Sequence, residues 1–202
     1  MKKTTTKATI IFVCLIAAVV GYYAYLSNRA QSTKAGADLS AVELVLSRDM
    51  ENDYPATPKE VIKYYNEIMK CFYNEECDEG QIDDLGRRAR VLFDDELLAA
   101  NELGGYLMRL RRDIQEYKDH NRRISYTNVG ASTSVDFFEE DGYSFARIPC
   151  GYTISEAGKP YPSNQIYLLR RDENKRWKIY GWKDIEELEG YESAEGSEDS
   201  EE

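Results

Sequence analysis

The fold is decided by residues 134–182, SVDFFEEDGYSFARIPCGYTISEAGKPYPSNQIYLLRRDENKRWKIYGW, where apolar and polar residues alternate between regularly spaced turn residues. Alternation with a period of two is typical of strands that bury one face. The pattern predicts an antiparallel meander with a first turn at 139–142, a longer turn-rich connection at 155–164 and a short hairpin connection at 172–176. Gly142 suits a turn position with positive φ.

Single residues add detail to this sheet. Pro149 predicts a bend or bulge in the strand over 143–153, and therefore a curved sheet. Residues 122–133 are predicted to lead into the meander as its first long strand. The last strand divides its apolar side chains between two faces, as Trp177 with Ile179 and Tyr180 with Trp182.

Helical segments precede the sheet. The first begins with a capping box, with Thr57 as N-cap, Pro58 at the first helical position and Glu60 as partner, and it is predicted to reach about Glu75. Its apolar stripe, expected to lie on the sheet, consists of Val61, Ile62, Tyr65, Ile68, Met69 and Phe72. A second segment covers 83–101, with an interruption near Phe93–Asp94, and ends at Gly104–Gly105; a third covers 106–119. About three helices followed by an antiparallel sheet define an α+β fold.

The 202-residue chain carries a formal charge of -11, much of it near the C-terminus. Residues 186–202 hold nine acidic and no basic side chains, and their composition predicts a disordered tail. The rest of the domain is also acidic, which argues against a nucleic-acid partner because phosphate contacts dominate such binding.

Residues 8–26, ATIIFVCLIAAVVGYYAYL, are uncharged and long enough to cross a hydrocarbon layer of about 30 Å as a helix. The lysines before this run favour a cytoplasmic N-terminus (1–7) and an external remainder. A cleaved signal peptide is the alternative, although no small-residue cleavage site follows Leu26. Beyond the transmembrane helix we predict a linker at 27–53, in which the run 41–46 fits strand or helix, and an extracytoplasmic domain at 54–185.

Three helices before a bent meander resemble the nuclear-transport-factor-2-like superfamily, in which helices close a curved sheet into a cone. The segments NDYPATPKEVIKYYNEIMKCFYNE (52–75), DDELLAAN (94–101) and RRDENKRWKIYGW (170–182) are similar to an uncharacterised family of single-pass membrane proteins from Gram-positive bacteria, a domain of unknown function. The resemblance extends over about residues 42–184. It implies the cone and a membrane location, and it brings no catalytic residues or cofactor.

Few residues suggest catalysis or metal binding. His120 is the only histidine and follows a helix end, where a cation complements the helix dipole, so a zinc site or proton relay is disfavoured. Similar folds in ketosteroid isomerase and the polyketide cyclases place an Asp or a His–Asp pair inside the cone, a position that Asp136 could take, but a strand Asp more often faces solvent. Three external cysteines favour free thiols and leave a disulfide open, and we predict no metal: Cys71, Cys77 and Cys150.

Two sets of side chains suggest binding. Arginines cluster in three groups, and the choice is between an anion or lipid-headgroup patch and ordinary solvated helix faces: Arg87, Arg88 and Arg90; Arg109, Arg111 and Arg112; Arg122 and Arg123. Inward-facing aromatic residues of a curled sheet would line the mouth of a pocket or fill the core: Tyr126, Tyr152, Tyr167 and Trp182.

The sequence therefore favours a non-enzymatic, membrane-anchored extracytoplasmic domain that binds a protein or an envelope component. Two alternatives stay open. One is a scaffold of an envelope secretion or conjugation apparatus. The other is a small-molecule isomerase or cyclase, which needs a deep pocket with a desolvated carboxylate or His120 pointing into it.

Overall fold

A computed structural model describes residues 39–185, so the predicted segments 1–7, 8–26 and 186–202 lie outside the described range. Within that range no helix combines the length and the apolar character that a membrane crossing needs. The described residues form the predicted α+β fold, in which five helices pack on an antiparallel sheet.

The helices come first in the chain and the strands follow. The helices are α1 (Ala41–Ser47), α2 (Pro58–Asn74), α3 (Glu79–Arg90), α4 (Asp95–Ala100) and α5 (Leu103–Asp119). The strands are β1 (Arg122–Val129), β2 (Asp136–Glu140), β3 (Tyr143–Glu156), β4 (Lys159–Arg171) and β5 (Trp177–Asp184), with a 3-10 turn at Ser132–Ser134. The prediction of about three helices is too low, because the segment 83–101 forms two helices and a further helix lies in the predicted linker.

α2 begins where the capping box predicts. Thr57 Oγ1 accepts a hydrogen bond from the Glu60 N–H at 3.2 Å, and the Glu60 carboxylate accepts one from the Thr57 N–H at 3.1 Å. These bonds satisfy donors that have no partner inside the helix. The predicted stripe is buried, apart from the half-buried Met69, and α2 contacts β1, β3 and β5. α2 is therefore the helix that covers the sheet.

α3 and α5 begin earlier than predicted. Asp78 caps α3 and forms a capping box with Gln81, with N···O distances of 2.8 and 3.0 Å. Gly104 and Gly105 do not end a helix but lie in the first turn of α5, where the Tyr106 N–H donates to the Glu102 carbonyl at 2.8 Å. Glycine costs less there than in the middle of a helix, because the N–H groups of the first turn have no partner inside the helix.

The interruption predicted near Phe93–Asp94 is confirmed, and it serves the sheet. The Asp94 N–H donates to the Ile179 carbonyl at 2.9 Å, and the Ile179 N–H donates to the Leu92 carbonyl at 2.7 Å. The segment between α3 and α4 therefore covers the edge of β5 at Ile179 and protects it from pairing with another chain.

Residues 41–53 carry part of the core, although the sequence places them in a linker. α1 buries Val42 and Val45, and Met50 is buried in the loop that follows. Tyr64 of α2 donates its hydroxyl to the Val45 carbonyl at 2.7 Å. Contacts with α2 and α3 thus select the helix for a run whose local pattern fits helix or strand, and the compact unit begins at Ala41.

The sheet has the order β1-β3-β4-β5, and β2 pairs with β3 beyond the end of β1. The turn predicted at 172–176 is confirmed. The turn predicted at 139–142 is present but shorter, since Glu139 and Glu140 belong to β2 and only Asp141 and Gly142 connect the strands, with Gly142 at a φ of 79°. The connection predicted over 155–164 is instead a two-residue turn, with φ of 49° at Ala157 and 84° at Gly158. Positive φ at both central residues is the geometry that matches the twist of a tight hairpin.

Pro160 and Pro162 lie inside β4, although proline is a typical turn former and the two residues predicted a connection here. Both pair with β3, at a part of β4 that extends past the end of β5. Among the described residues, the edge of β4 that faces away from β3 has no partner strand at these positions. The N–H groups that the two prolines lack would therefore have made no hydrogen bond between strands.

The irregularities of the sheet lie away from Pro149. Pairing between β3 and β4 keeps one register through this residue, so the predicted bulge is absent. Pro149 lies between the segments that pair with β1 and with β2, and its carbonyl accepts from the Gly130 N–H at 2.9 Å on that same edge. Register shifts occur instead at Ser125 in β1 and at Tyr180 in β5.

Candidate functional site

The two bulges decide which of the four predicted site residues meet inside the fold. Tyr152 and Tyr167 lie on the helix-facing side of β3 and β4 and are buried. The bulge at Tyr180 pairs Trp182 with Tyr167, so Trp182 joins this face instead of the opposite one. The bulge at Ser125 has the reverse effect, because Tyr126 pairs with Thr153 on the outer face and is 61% exposed. Tyr126 therefore lies apart from the other three.

A chain of buried polar groups links α2 to the sheet. The Tyr152 hydroxyl lies 2.8 Å from Asn66 Oδ1 and 2.7 Å from the Tyr167 hydroxyl, which lies 3.0 Å from the Gln165 side-chain amide. Asn66 Nδ2 donates to Cys150 Sγ at 3.3 Å. Two hydroxyl protons cannot supply three hydrogen bonds, so the chain is complete when Gln165 turns its amide and donates an N–H to Tyr167.

These groups are neutral at physiological pH. Burial raises the pKa of Tyr152 and of Tyr167 above the usual tyrosine value, and burial also raises the pKa of the Cys150 thiol. An uncharged chain of hydrogen bonds therefore holds the sheet against α2. It offers no carboxylate, imidazole or thiolate for acid–base or nucleophilic chemistry.

Aromatic rings fill the space beside this chain. Tyr65 of α2 lies with its ring centroid 6.1 Å from Tyr167, 6.1 Å from Trp182 and 5.9 Å from Phe93. Trp182 is 40% exposed and forms the solvent-facing end of the cluster. Of the two interpretations of the predicted aromatic set, the filled core describes Tyr152 and Tyr167, and Trp182 lies beside them with part of its ring exposed.

Neither residue that suggested catalysis belongs to this cluster. His120 is the C-terminal cap of α5 and is exposed, with Nδ1 2.9 Å from the Glu116 carbonyl oxygen. Asp136 is exposed on β2 and forms an ion pair with Arg147 at 3.8 Å. The described cysteines are free thiols, two of them buried, and the described residues contain no group that fits a metal ion.

Sequence reasoning missed a buried ion pair that joins α4 to the sheet. Arg170 of β4 donates to both carboxylate oxygens of Asp94, at 2.9 and 2.5 Å, and to Glu96 at 2.7 Å. Its guanidinium lies 4.9 Å from the ring centroids of both Tyr143 and Tyr180. Arg170 and Asp94 are 76 positions apart in sequence, so no local sequence pattern predicts the ion pair.

The arginines separate into structural and accessible groups. Arg90 donates to the Asn101 carbonyl, Arg111 pairs with Asp83 at 2.5 Å and Arg122 pairs with Glu156 at 3.0 Å. Arg87 and Arg88, by contrast, line a surface groove of about 690 Å³ with two arginines that the sequence analysis did not group with them, Arg48 and Arg176. Three acidic residues also line it: Asp49, Glu51 and Asp84.

The fold and the site define a small α+β domain with a filled aromatic interior and a charged surface groove. A family described as a domain of unknown function (DUF6715) matches residues 1–182, and the chain belongs to this family. The expected domain of unknown function is confirmed, while the nuclear-transport-factor-2-like fold, the single-pass membrane location and the Gram-positive source stay predictions.

Among solved structures, one described as "Structure of a periplasmic fragment of TraM" is similar at 16% identity, with a TM-score of 0.34. The similarity covers 62% of this chain and 96% of that chain. No curated protein matches the sequence.

Proposed function

We propose that this chain is a membrane-anchored, extracytoplasmic binding domain without enzymatic activity, held at the bilayer by residues 8–26 with its N-terminus in the cytoplasm. The proposal includes the nuclear-transport-factor-2-like cone, with α2 as the helix that closes the sheet. Its binding partner is a protein or an envelope component, and it requires neither nucleic acid nor a cofactor.

The proposal rests on one observation. The space between α2 and the sheet, where a substrate would have to bind, is filled by neutral side chains that are hydrogen-bonded to one another. General acid–base catalysis needs a titratable group within hydrogen-bond reach of the reacting atoms. Here Tyr152 and Tyr167 bond to each other at 2.7 Å, and His120 and Asp136 face solvent. The exposed part of Trp182 and the arginine-lined groove are two accessible features that suit recognition of a partner.

The location is tested by adding protease to intact cells that produce the full chain. The expected result is digestion of the part after residue 26 in intact cells. Permeabilised cells are the control, because they show that the domain can be cleaved. A domain that is cut only after permeabilisation contradicts the proposed topology.

Binding is tested by crosslinking the full chain in its own membrane and identifying the adducts by mass spectrometry. We expect adducts with another envelope molecule. Adducts of the chain with itself alone, together with self-association in sedimentation, would replace the binding function with the scaffold function. A chain that gives no adduct refutes both.

A further inference from the structure

We infer that the groove lined by Arg48, Arg87, Arg88 and Arg176 binds a phosphate ester. The inference rests on the proposed binding function and names the chemical class of the ligand. The arginines come from three separate parts of the chain: the loop after α1, α3 and the β4–β5 turn. Their convergence brings four guanidinium groups to one groove on a chain whose formal charge is -11, beside three lining carboxylates and the Asp53 carboxylate that pairs with Arg48.

Two of these arginines are held in place by uncharged groups. Arg88 donates to the Arg48 and Leu46 carbonyls at 2.5 and 2.7 Å. Arg176 donates to the Glu51 carbonyl at 2.9 Å and lies 4.9 Å from the ring centroid of Tyr54. Carbonyls and rings fix the position of a guanidinium without cancelling its charge, so these side chains are pre-organised for an anion.

The other two arginines keep donors for a ligand. Arg87 is exposed and has no ion pair among the described residues. Arg48 Nε donates to the Asp53 carbonyl at 2.9 Å and lies 3.1 Å from the Asp53 carboxylate, and its guanidinium lies 4.8 Å from the Tyr64 ring centroid. An arginine has five N–H donors, so its two Nη groups remain for a further acceptor.

The acidic residues of the groove keep their negative charges and limit the kind of anion that it can accept. The Asp49 carboxylate accepts from the N–H groups of Glu51 and Asn52 at 2.9 and 3.2 Å and from the Asn52 amide at 2.7 Å, which ties it to its own loop. Glu51 and Asp84 are exposed at the groove surface. Because these carboxylates repel negative charge, the groove favours a ligand that carries one anionic group over one that is anionic along its whole length.

The donor geometry and the size of the groove select the ester. Guanidinium forks match phosphate oxygens, and several forks around one site suit a tetrahedral anion with three or four acceptors. A groove of about 690 Å³ exceeds the size of a phosphate ion and lies within the roughly 300–1,000 Å³ typical of small-molecule sites. A lipid headgroup and a soluble phosphate ester share this chemistry. In the sequence, α1 is the first described helix after the predicted transmembrane segment 8–26, and the groove residue Arg48 directly follows α1.

The test uses the full chain in maltoside detergent micelles, which contain no phosphate, and hydrogen–deuterium exchange of its backbone amides. One arm compares these micelles with micelles that also contain phosphatidylglycerol. The other arm adds glycerol 3-phosphate to the maltoside micelles. We expect protection of residues 46–53 and 172–176 in at least one arm. Protection in the first arm alone assigns a lipid headgroup, and protection in the second arm assigns a soluble ester.

The matched variants are Arg87→Gln and Arg123→Gln, since both arginines are exposed and neither has an ion pair among the described residues. Loss of one charged hydrogen bond weakens the apparent affinity roughly tenfold for Arg87→Gln. Arg123→Gln, with the same change of charge outside the groove, leaves the affinity unchanged. Equal effects of the two variants, or no protection in either arm, overturns the inference. If crosslinked adducts persist without protection, the binding function stands and the ligand class is wrong.

Discussion

Replacing Arg170 by methionine tests whether the ion pair between β4 and α4 holds the domain together. Methionine keeps much of the apolar stem and removes the guanidinium. Asp94 is then left with its charge in a buried position, since the Arg170 and Asp94 side chains are only 13% and 5% exposed. Hydrogen bonds to Asp94 raise the pKa of Arg170, so the guanidinium stays charged at any working pH and pH change cannot substitute for the mutation.

The size of the effect follows from these contacts. Removing one partner of a buried pair costs about 3–5 kcal/mol. The bond to Glu96 adds little because that carboxylate is 60% exposed, and one N–H, from Glu96 at 3.0 Å, still reaches Asp94 after the substitution. We therefore expect a loss near the lower bound, about 3 kcal/mol. At about 2–4 °C per kcal/mol for a chain of this size, the midpoint of thermal unfolding falls by roughly 6–12 °C.

The assay is urea and thermal unfolding of the full chain, with Arg147→Met as the control. Arg147 is also a strand arginine with a carboxylate and a ring as neighbours, but its side chain is 53% exposed and its pair with Asp136 spans 3.8 Å. Its replacement should cost less than about 1 kcal/mol. In a double-mutant cycle, Asp94→Asn should recover roughly 1–3 kcal/mol of the loss in Arg170→Met. Equal stability of Arg170→Met and Arg147→Met refutes the reasoning.

Two further predictions concern buried groups. Tyr152→Phe leaves Oδ1 of the Asn66 side chain without its hydroxyl donor and should lower the free energy of unfolding by about 1–3 kcal/mol. The control, Tyr126→Phe on the outer face, should leave the urea midpoint unchanged. Equal midpoints for the two variants contradict the buried chain. Burial raises the pKa of the Cys71 thiol to about 12, so at pH 8 this thiol stays protonated and alkylation of the native chain should modify Cys77 well before Cys71. Mass spectrometry without reduction measures both thiols, and equal modification of both, or a disulfide, contradicts the structure.

The sequence predicted those parts of the fold whose signals are local. A capping box needs only residues three positions apart, and Thr57–Glu60 placed the start of α2 correctly. The hairpin at 172–176 is equally local, because Asp172 bonds to the N–H of Arg176 across the turn. Where tertiary contacts decide, the pattern failed. Residues 41–46 became a helix through their contacts with α2 and α3, and Pro160 and Pro162 were accepted in a strand because they lie at an unpaired edge.

The candidate site shows why an alternating pattern cannot by itself assign side chains to faces. Strict alternation places Trp182 and Ile179 on opposite faces of the sheet and Tyr126 and Ile124 on the same face. One extra residue in each of the edge strands β5 and β1 reverses both assignments. A shift of one residue in register moves every later side chain to the other face. The bulge in β5 lies at Tyr180, whose hydroxyl donates to Glu96 at 2.7 Å and whose ring faces Arg170. The same contacts that fasten α4 to the sheet therefore favour the bulge at Tyr180. The bulge in turn brings Trp182 to the exposed end of the aromatic cluster.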